Sequence, residues 1–527
     1  MLPVANTQLG PGSLAAILGG VFEGGEDTIW IHPDPNFNDE IVFNPEHPNW
    51  LLHKELLKAC KAKANGNYFV GMPDLMEGLD VLAALKGTDM VLLDTVMQSE
   101  VLEQQMQQIN DIYFKVFDEL YDIIREGDEM AFCYFSSWAP GKMSKLQSDI
   151  STMISQDDYR RFVQPFIREQ CQKIDYTLYH LDGVGAMHHL PALLEIEELN
   201  AIQWTPGVGE PQGGSPKWYD LYKKILAGGK SVMACWVTLE ELKPLLDHIG
   251  ADGVHLEMDF HNEREVEQAM RIIEEYTGSS SSVSADVHTN QPVGEQDNAQ
   301  ESIRIREEKS QEEDRMKPLY DAIVAGKLEP AVEVTKDAIA AGVLPQDIIN
   351  GYMITAMGEV GQRFQDGKAF VPQLLMAGRA MKGALELLKP LLAGNASATI
   401  GKIVIGTVKG DLHDIGKNLV ASMLEGCGFE VINIGIDVTC DKFVEAVKEN
   451  KADILCMSAL LTTTMTYMQD VIRALEEAGI RDQVKVMIGG APVSQGFADE
   501  IGADGYSDNA NTCLLYTSDA ADDLTRV

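Results

Sequence analysis

Lys402-Ile403-Val404-Ile405-Gly406-Thr407-Val408 runs directly into Lys409-Gly410-Asp411-Leu412-His413-Asp414-Ile415-Gly416-Lys417, and this junction decides how the second half of the chain folds. An unbroken β-branched run followed by a glycine-bounded polar turn reads as a buried strand leading into a helix. Four further runs begin at Phe429, Asp453, Val484 and Asp504, with helical segments such as Lys442 to Glu449 and Met465 to Ala478 between them. These are the proportions of a flavodoxin-like parallel α/β sheet, in which ligands bind outside the carboxyl ends of the strands. The loop Asp411 to Gly416 lies there. A neutral imidazole on His413 suits a transition metal, and a carboxylate two residues earlier, Asp411, can hold the other ring nitrogen. Gly410 and Gly416 permit a tight turn and a close approach of ligand to backbone. A lone histidine in a polar loop is usually incidental. Here Ser458-Ala459-Leu460-Leu461-Thr462 closes the third strand and Gly489-Gly490-Ala491-Pro492 the fourth, and both share that sheet edge. Small and hydroxyl side chains there would line a groove for something long.

With these residues in place, the stretch resembles the cobalamin-binding module of methionine synthase and the small corrinoid proteins of methanol and methylamine metabolism. The resemblance implies that His413 is the lower ligand of cobalt and that Asp411 tunes it. It also implies that Gly416, Ser458, Leu460, Thr462, Gly489 and Gly490 contact the cofactor and its nucleotide tail. Upstream, Met316 to Leu392 reads as a four-helix bundle with turns at Gly342 to Pro345 and Gly367 to Pro372. By periodicity its Met and Phe stripes are bundle core. Met357 to Phe364 and Phe370 to Leu375 resemble the helical cap that shields the upper face of the corrinoid.

The bulk numbers constrain the rest. A chain of 527 residues implies more than one core. Lys and Arg number 42 against 81 Asp and Glu, a net charge of -39, which makes nucleic-acid or anionic-membrane partners electrostatically costly. Eight cysteines without a CxxC pair suit a reducing compartment, and the first residues carry neither a signal peptide nor a membrane span. The expectation is a cytoplasmic protein. From 278 to 313 the chain is Ser- and Glu-rich and nearly free of large apolar residues, a flexible linker of roughly 35 residues that would span about 30 Å.

Before the linker, strand-like runs from residues 2, 67, 129, 177, 201, 231 and 253 alternate with helical stretches, the pattern of parallel strands joined by crossover helices. Seven strands suggest a (β/α)8-type barrel lacking its first strand. Phe135 to Gly141 and Tyr179-His180-Leu181-Asp182-Gly183 resemble the uroporphyrinogen decarboxylase superfamily, which includes methyltransferases that serve corrinoid proteins. Zinc methyltransferases of that superfamily carry His-x-Cys where this chain has His180-Leu181-Asp182, and the last strand offers His255, Glu257 and Asp259 without a cysteine. Zinc on His180 and Asp182 is one reading, and a structural hydrogen-bonded pair is the other. Nitrogen and oxygen ligands make a harder site, better suited to an oxygen-bearing substrate than to a thiol. Gln203, Trp204 and Cys235 also fall at strand ends, with Cys235 read as a small buried hydrophobe.

The expected layout is therefore a barrel at 1–277, a linker at 278–313, a helical cap at 314–393, a cobalamin-binding α/β domain at 399–512 and a tail at 513–527. Cys513 to Asp523 resembles translated sequencing adapter, which would make the tail non-native and leave the sheet without its last helix. The function implied is corrinoid-dependent methyl transfer with a small-molecule donor or acceptor, in which His180, Asp182 and Glu257 bind or polarise the substrate. A partner methyltransferase and a corrinoid reductive activase are implied with it. Two alternatives stand beside it: a corrinoid carrier with an inactive docking barrel, and a decarboxylase-like enzyme.

Overall fold

The computed structural model describes residues 4–277 and 316–507, apart from 6–9, 11, 25–28, 34–36, 38, 77, 136, 208, 393–400, 412–414, 427–428 and 491. The linker at 278–313, the tail at 513–527 and His413 lie outside the described residues. The chain divides into two compact units, Met1–Ser284 and Ala285–Val527. Among the described residues no helix is long and apolar enough to cross a membrane.

In the first unit, β1 (Val4–Ala5), β2 (Phe69–Met72) and β3 (Met130–Phe132) pair in parallel. The short strand Trp138–Ala139 adds antiparallel to β3 at the edge of that sheet. A second sheet, parallel throughout, holds β4 (Met143–Leu146), β5 (Tyr176–Asp182), β6 (Ala201–Thr205), β7 (Ser231–Ala234) and β8 (Val254–Leu256). Among the described residues eight strands of the first unit pair in parallel, one more than the seven read from the sequence. The overlooked strand is Met143-Ser144-Lys145-Leu146, whose Ser and Lys hide it from any apolar-run criterion although all four residues are buried. Helices connect the strands, among them Gln156–Phe162, Gln164–Lys173 and Leu239–Ile249. Strand alternation sets the two faces of β5: Tyr179 and Leu181 are buried on one, while His180 and Asp182 share the other. Trp204 stacks edge-on against Trp218 at 5.1 Å in the core, so it does not line a site.

His188 and His189 end a 3-10 helix, Val184–His189. His189 is buried, its Nε2 lies 2.7 Å from the Ser151 carbonyl, and its ring stacks on Tyr159 at 4.3 Å. Burial lowers its pKa from 6.5 to about 4. Between those values the unfolded chain binds a proton that the folded one refuses, so stability is full above pH 6.5 and falls as pH drops toward 4. We expect His189→Gln to flatten this acid dependence in melts recorded from pH 4 to 7; parallel curves for both proteins would contradict it.

The second unit contains all five strands read from the sequence: β9 (Lys402–Thr407), β10 (Glu430–Asn433), β11 (Ile454–Ser458), β12 (Lys485–Gly489) and β13 (Gly505–Ser507). They form one parallel sheet in the order β10-β9-β11-β12-β13. One face packs on Phe443, Met468, Val471 and Leu475 from two helices. The other joins a single apolar core with residues 316–324 and the helices Leu328–Ala340, Ile354–Gln365 and Val371–Leu392. A π-helical turn, Ile349–Met353, leads directly into the helix Ile354–Gln365.

Candidate functional site

The strand order reverses direction between β9 and β11, and a crevice at such a switch point is where open parallel sheets bind ligands. Asp411 sits there fully buried. Its Oδ2 accepts hydrogen bonds from the backbone N–H of Leu460 at 2.7 Å and Leu461 at 3.3 Å, and from Thr464 Oγ1 at 2.7 Å. The carboxylate thus ties the loop after β9 to the loop after β11. The loop after β10 grips it too, because Asp437 N–H donates to the Asp411 carbonyl (3.1 Å) and Gly410 N–H to Asp437 Oδ1 (2.8 Å). Gly410 turns with φ +80°, which favours glycine. The backbone is therefore pinned from both sides just before His413.

The strand ends place Thr407, Ser458, Gly489 and Ser507 in one row. No side chain in that row exceeds threonine, the relief needed by a ligand lying against the sheet edge. Leu460 contributes a backbone N–H to the site, whereas Thr462 is exposed at the start of the short helix Thr462–Met465. Thr464, not singled out from the sequence, is the hydroxyl that reaches Asp411. Its only signal was the run Thr462-Thr463-Thr464, which does not say which member turns inward. A Cβ added to Gly416 would meet nothing within 4 Å, so that face of the helix is open.

We expect Asp411→Asn to cost the second unit about 1–2 kcal/mol, because a charge-assisted acceptor of three donors becomes a weaker neutral one. Chemical denaturation followed by circular dichroism measures this, and an unchanged midpoint would refute it.

In the first unit, ligand atoms of Asp149, His180 and Asp182 lie within 4.8 Å of one another. Register puts Gln203 beside His180 and Thr205 beside Asp182. Gln203 Oε1 bonds His180 Nδ1, while Gln203 Nε2 donates to Thr205 Oγ1 at 2.7 Å and to Cys235 Sγ at 3.2 Å. Cys235 is buried, and burial together with a hydrogen bond to Glu257 pushes its thiol well up. Glu257 is thus set against Cys235, and Asp149 is the group that joins His180 and Asp182. Phe135, in a left-handed conformation with φ +59°, brings its ring 5.6 Å from His180. Beneath lies a polar chain: Asp74 Oδ2 pairs with Lys145 Nζ at 2.7 Å, Lys145 also bonds Gln147 Oε1, and Gln147 Nε2 donates to Asp149 Oδ2 at 2.9 Å. Asp80 accepts the backbone N–H of Asp149 and Ile150. Burial first, and then the Asp149 charge, raise the Asp80 carboxyl to about 7.

The sheet and its switch-point loop define the second unit as a cofactor carrier of the Rossmann-like class. Residues 401–515 match the family described as B12 binding domain, and residues 316–389 match a second family of that description. Trimethylamine corrinoid protein 1 of Methanosarcina acetivorans is 47% identical over 192 residues, which are 36% of this chain and 89% of that protein. Dimethylamine corrinoid protein 3 of the same organism is 45% identical over 194 residues, 37% of this chain and 91% of that protein. The crystal structure of the methanol:cobalamin methyltransferase complex MtaBC from Methanosarcina barkeri is 30% identical, covers 42% of this chain and 86% of that chain, and has a TM-score of 0.35. Through its second unit the chain belongs to the corrinoid protein family. Its cofactor is cobalamin.

Proposed function

We propose that this chain is a cobalamin-dependent methyltransferase in which a uroporphyrinogen decarboxylase-like barrel, residues 1–277, moves a methyl group between a small molecule and the corrinoid held by residues 314–512. The observation that carries the reading is the cluster of His180, Asp182 and Asp149 at the carboxyl ends of parallel strands, in the same chain as a cobalamin carrier. Barrel active sites lie at that end of the strands. The ion pair between Asp74, which follows β2, and Lys145, on β4, supports closure of the two sheets into one barrel.

When bound, the corrinoid supplies a cobalt centre that takes up and releases a methyl group. The protein's share is ligation, positioning and exclusion of water. His413 would ligate the cobalt, with Asp411 as its orienting partner. Gly416, Ser458, Leu460, Thr462, Gly489 and Gly490 border the nucleotide tail. The helices at 316–392 would shield the bound corrinoid from water. In the barrel, His180, Asp182 and Glu257 hold or polarise the methyl donor or acceptor, with zinc on His180 and Asp182. A partner methyltransferase and a reductive activase complete the cycle.

Reconstitution with cobalamin, reduction, and a screen of methanol, methylamines, methoxyarenes, methyl halides and methyl thiols test the proposal through the absorbance change of the corrinoid. A donor that methylates the wild type but not His180→Ala supports it. Silence with every donor would leave a carrier whose barrel only docks partners.

A further inference from the structure

We propose that the segment 433–437, at the end of β10, clamps the histidine-bearing turn of the corrinoid domain at both of its ends, with Lys417 and Asn433 as positioning residues for the cobalt ligand. The purpose of the clamp rests on the reading of His413 as that ligand, whereas its contacts do not.

At the front of the turn the holding residue is Asp437. It gives its N–H to the Asp411 carbonyl and takes that of Gly410 on Oδ1, with a left-handed backbone of φ +51°. At the rear the hub is Asn433. Its Oδ1 accepts from Lys417 Nζ at 2.8 Å and from the Gly435 N–H at 3.1 Å, and its Nδ2 donates to Asn418 Oδ1 at 3.0 Å. Lys417 and Asn418 are the third and fourth residues of the helix Ile415–Gly426. One short segment thus holds residues 410 and 411 on one side of His413 and residues 417 and 418 on the other.

Two physical arguments set this apart from an ordinary polar network. The first is what Lys417 gives up. It is 4% exposed and stands in the first turn of a helix, where the dipole opposes a cation and burial strips an ammonium of its water. A solvated lysine would avoid both costs, so the hydrogen bonds of the buried ammonium have to offset them. The second is the residue just before it. Gly416 weakens the first helical turn, because glycine loses more backbone freedom on ordering than any other residue. Without a rear anchor the turn would be fixed only through Asp411, two residues ahead of His413, and the imidazole would be poorly aimed. Groups that orient a ligating histidine typically contribute about 10- to 100-fold to metal affinity.

The test uses the full chain carrying histidine labelled with the heavy nitrogen isotope, loaded with cobalamin and reduced to cobalt(II). In that state an axial nitrogen splits the electron paramagnetic resonance signal, and the label turns triplets into doublets when the nitrogen comes from the protein. We expect doublets in the wild type and in Lys409→Met, which removes an exposed cation from the same loop without touching the clamp. Lys417→Met and Asn433→Leu should lose most of the doublets and bind cobalamin roughly 10- to 100-fold more weakly, with wild-type circular dichroism. Asn433→Asp, which keeps an acceptor for Lys417, should restore them. Asn433 is exposed, so its variants decide the question even where Lys417→Met does not fold. Full doublets with wild-type affinity in Asn433→Leu, or an equal loss in Lys409→Met, would overturn the clamp and leave His413 as the ligand. Absence of doublets from the wild type would remove the His413 reading and the purpose of the clamp with it.

Discussion

Gly490→Ala is expected to prevent the corrinoid-binding sheet from reaching its native packing. A Cβ at this position would stand 1.8 Å from the carbonyl oxygen of Ala459 and 2.9 Å from its carbonyl carbon. Both atoms are backbone, so no rotamer change relieves the overlap. The neighbourhood is also committed: Ala459 N–H donates to the Gly489 carbonyl and Val493 N–H to the Gly490 carbonyl. With φ at +128°, the residue occupies a region that side chains rarely adopt. Strain and steric conflict together place the cost at about 4 kcal/mol or more, among the larger effects of single substitutions. Parting β11 from β12 would also open the row that includes Ser458 and Gly489. Cobalamin uptake should therefore fail in the variant while the first unit's circular dichroism signal persists. Wild-type uptake together with an unchanged melting curve would show that the two loops are not in contact.

Lys145→Met carries the second large effect. Lys145 and Asp74 are 3% and 5% exposed, and their charged atoms are 2.7 Å apart. Removing the cation leaves a buried carboxylate without its ion-pair partner, a loss of about 3–5 kcal/mol. It also cuts the support that runs through Gln147 to Asp149. The double variant Lys145→Met with Asp74→Leu buries no orphaned charge and should regain most of the stability, because isosteric apolar replacement of a buried pair is often neutral. Denaturation midpoints of the single and double variants decide the matter: if the double variant is the less stable, the pair contributes net stability and the expectation is wrong.

Legibility followed the range of the interactions. The five strands of the second unit were readable because a parallel sheet covered on both faces needs continuous apolar runs, as in Lys402–Thr407 and Ile454–Ser458. His180 and Asp182 were readable as a pair because period-2 geometry puts i and i+2 on one strand face. Met143–Leu146 was not readable, because its buried lysine is tolerable only beside Asp74, 71 positions earlier. Thr464 acquires its role from Asp411, 53 positions away, and Asp149 from side chains on a different strand.

The sequence by itself determined the carrier: the apolar runs, the glycines and the loop from Asp411 to Gly416 are local, and local pattern sets strand, turn and ligand type. Only the tertiary structure decided which residues meet. It brought Thr464 to the Asp411 carboxylate, set Glu257 against Cys235, and placed Asp149 beside His180 and Asp182. The reason is physical. A hydrogen bond or a ligand set depends on distances of a few ångströms between side chains, and those distances come from strand register and sheet packing rather than from spacing along the chain.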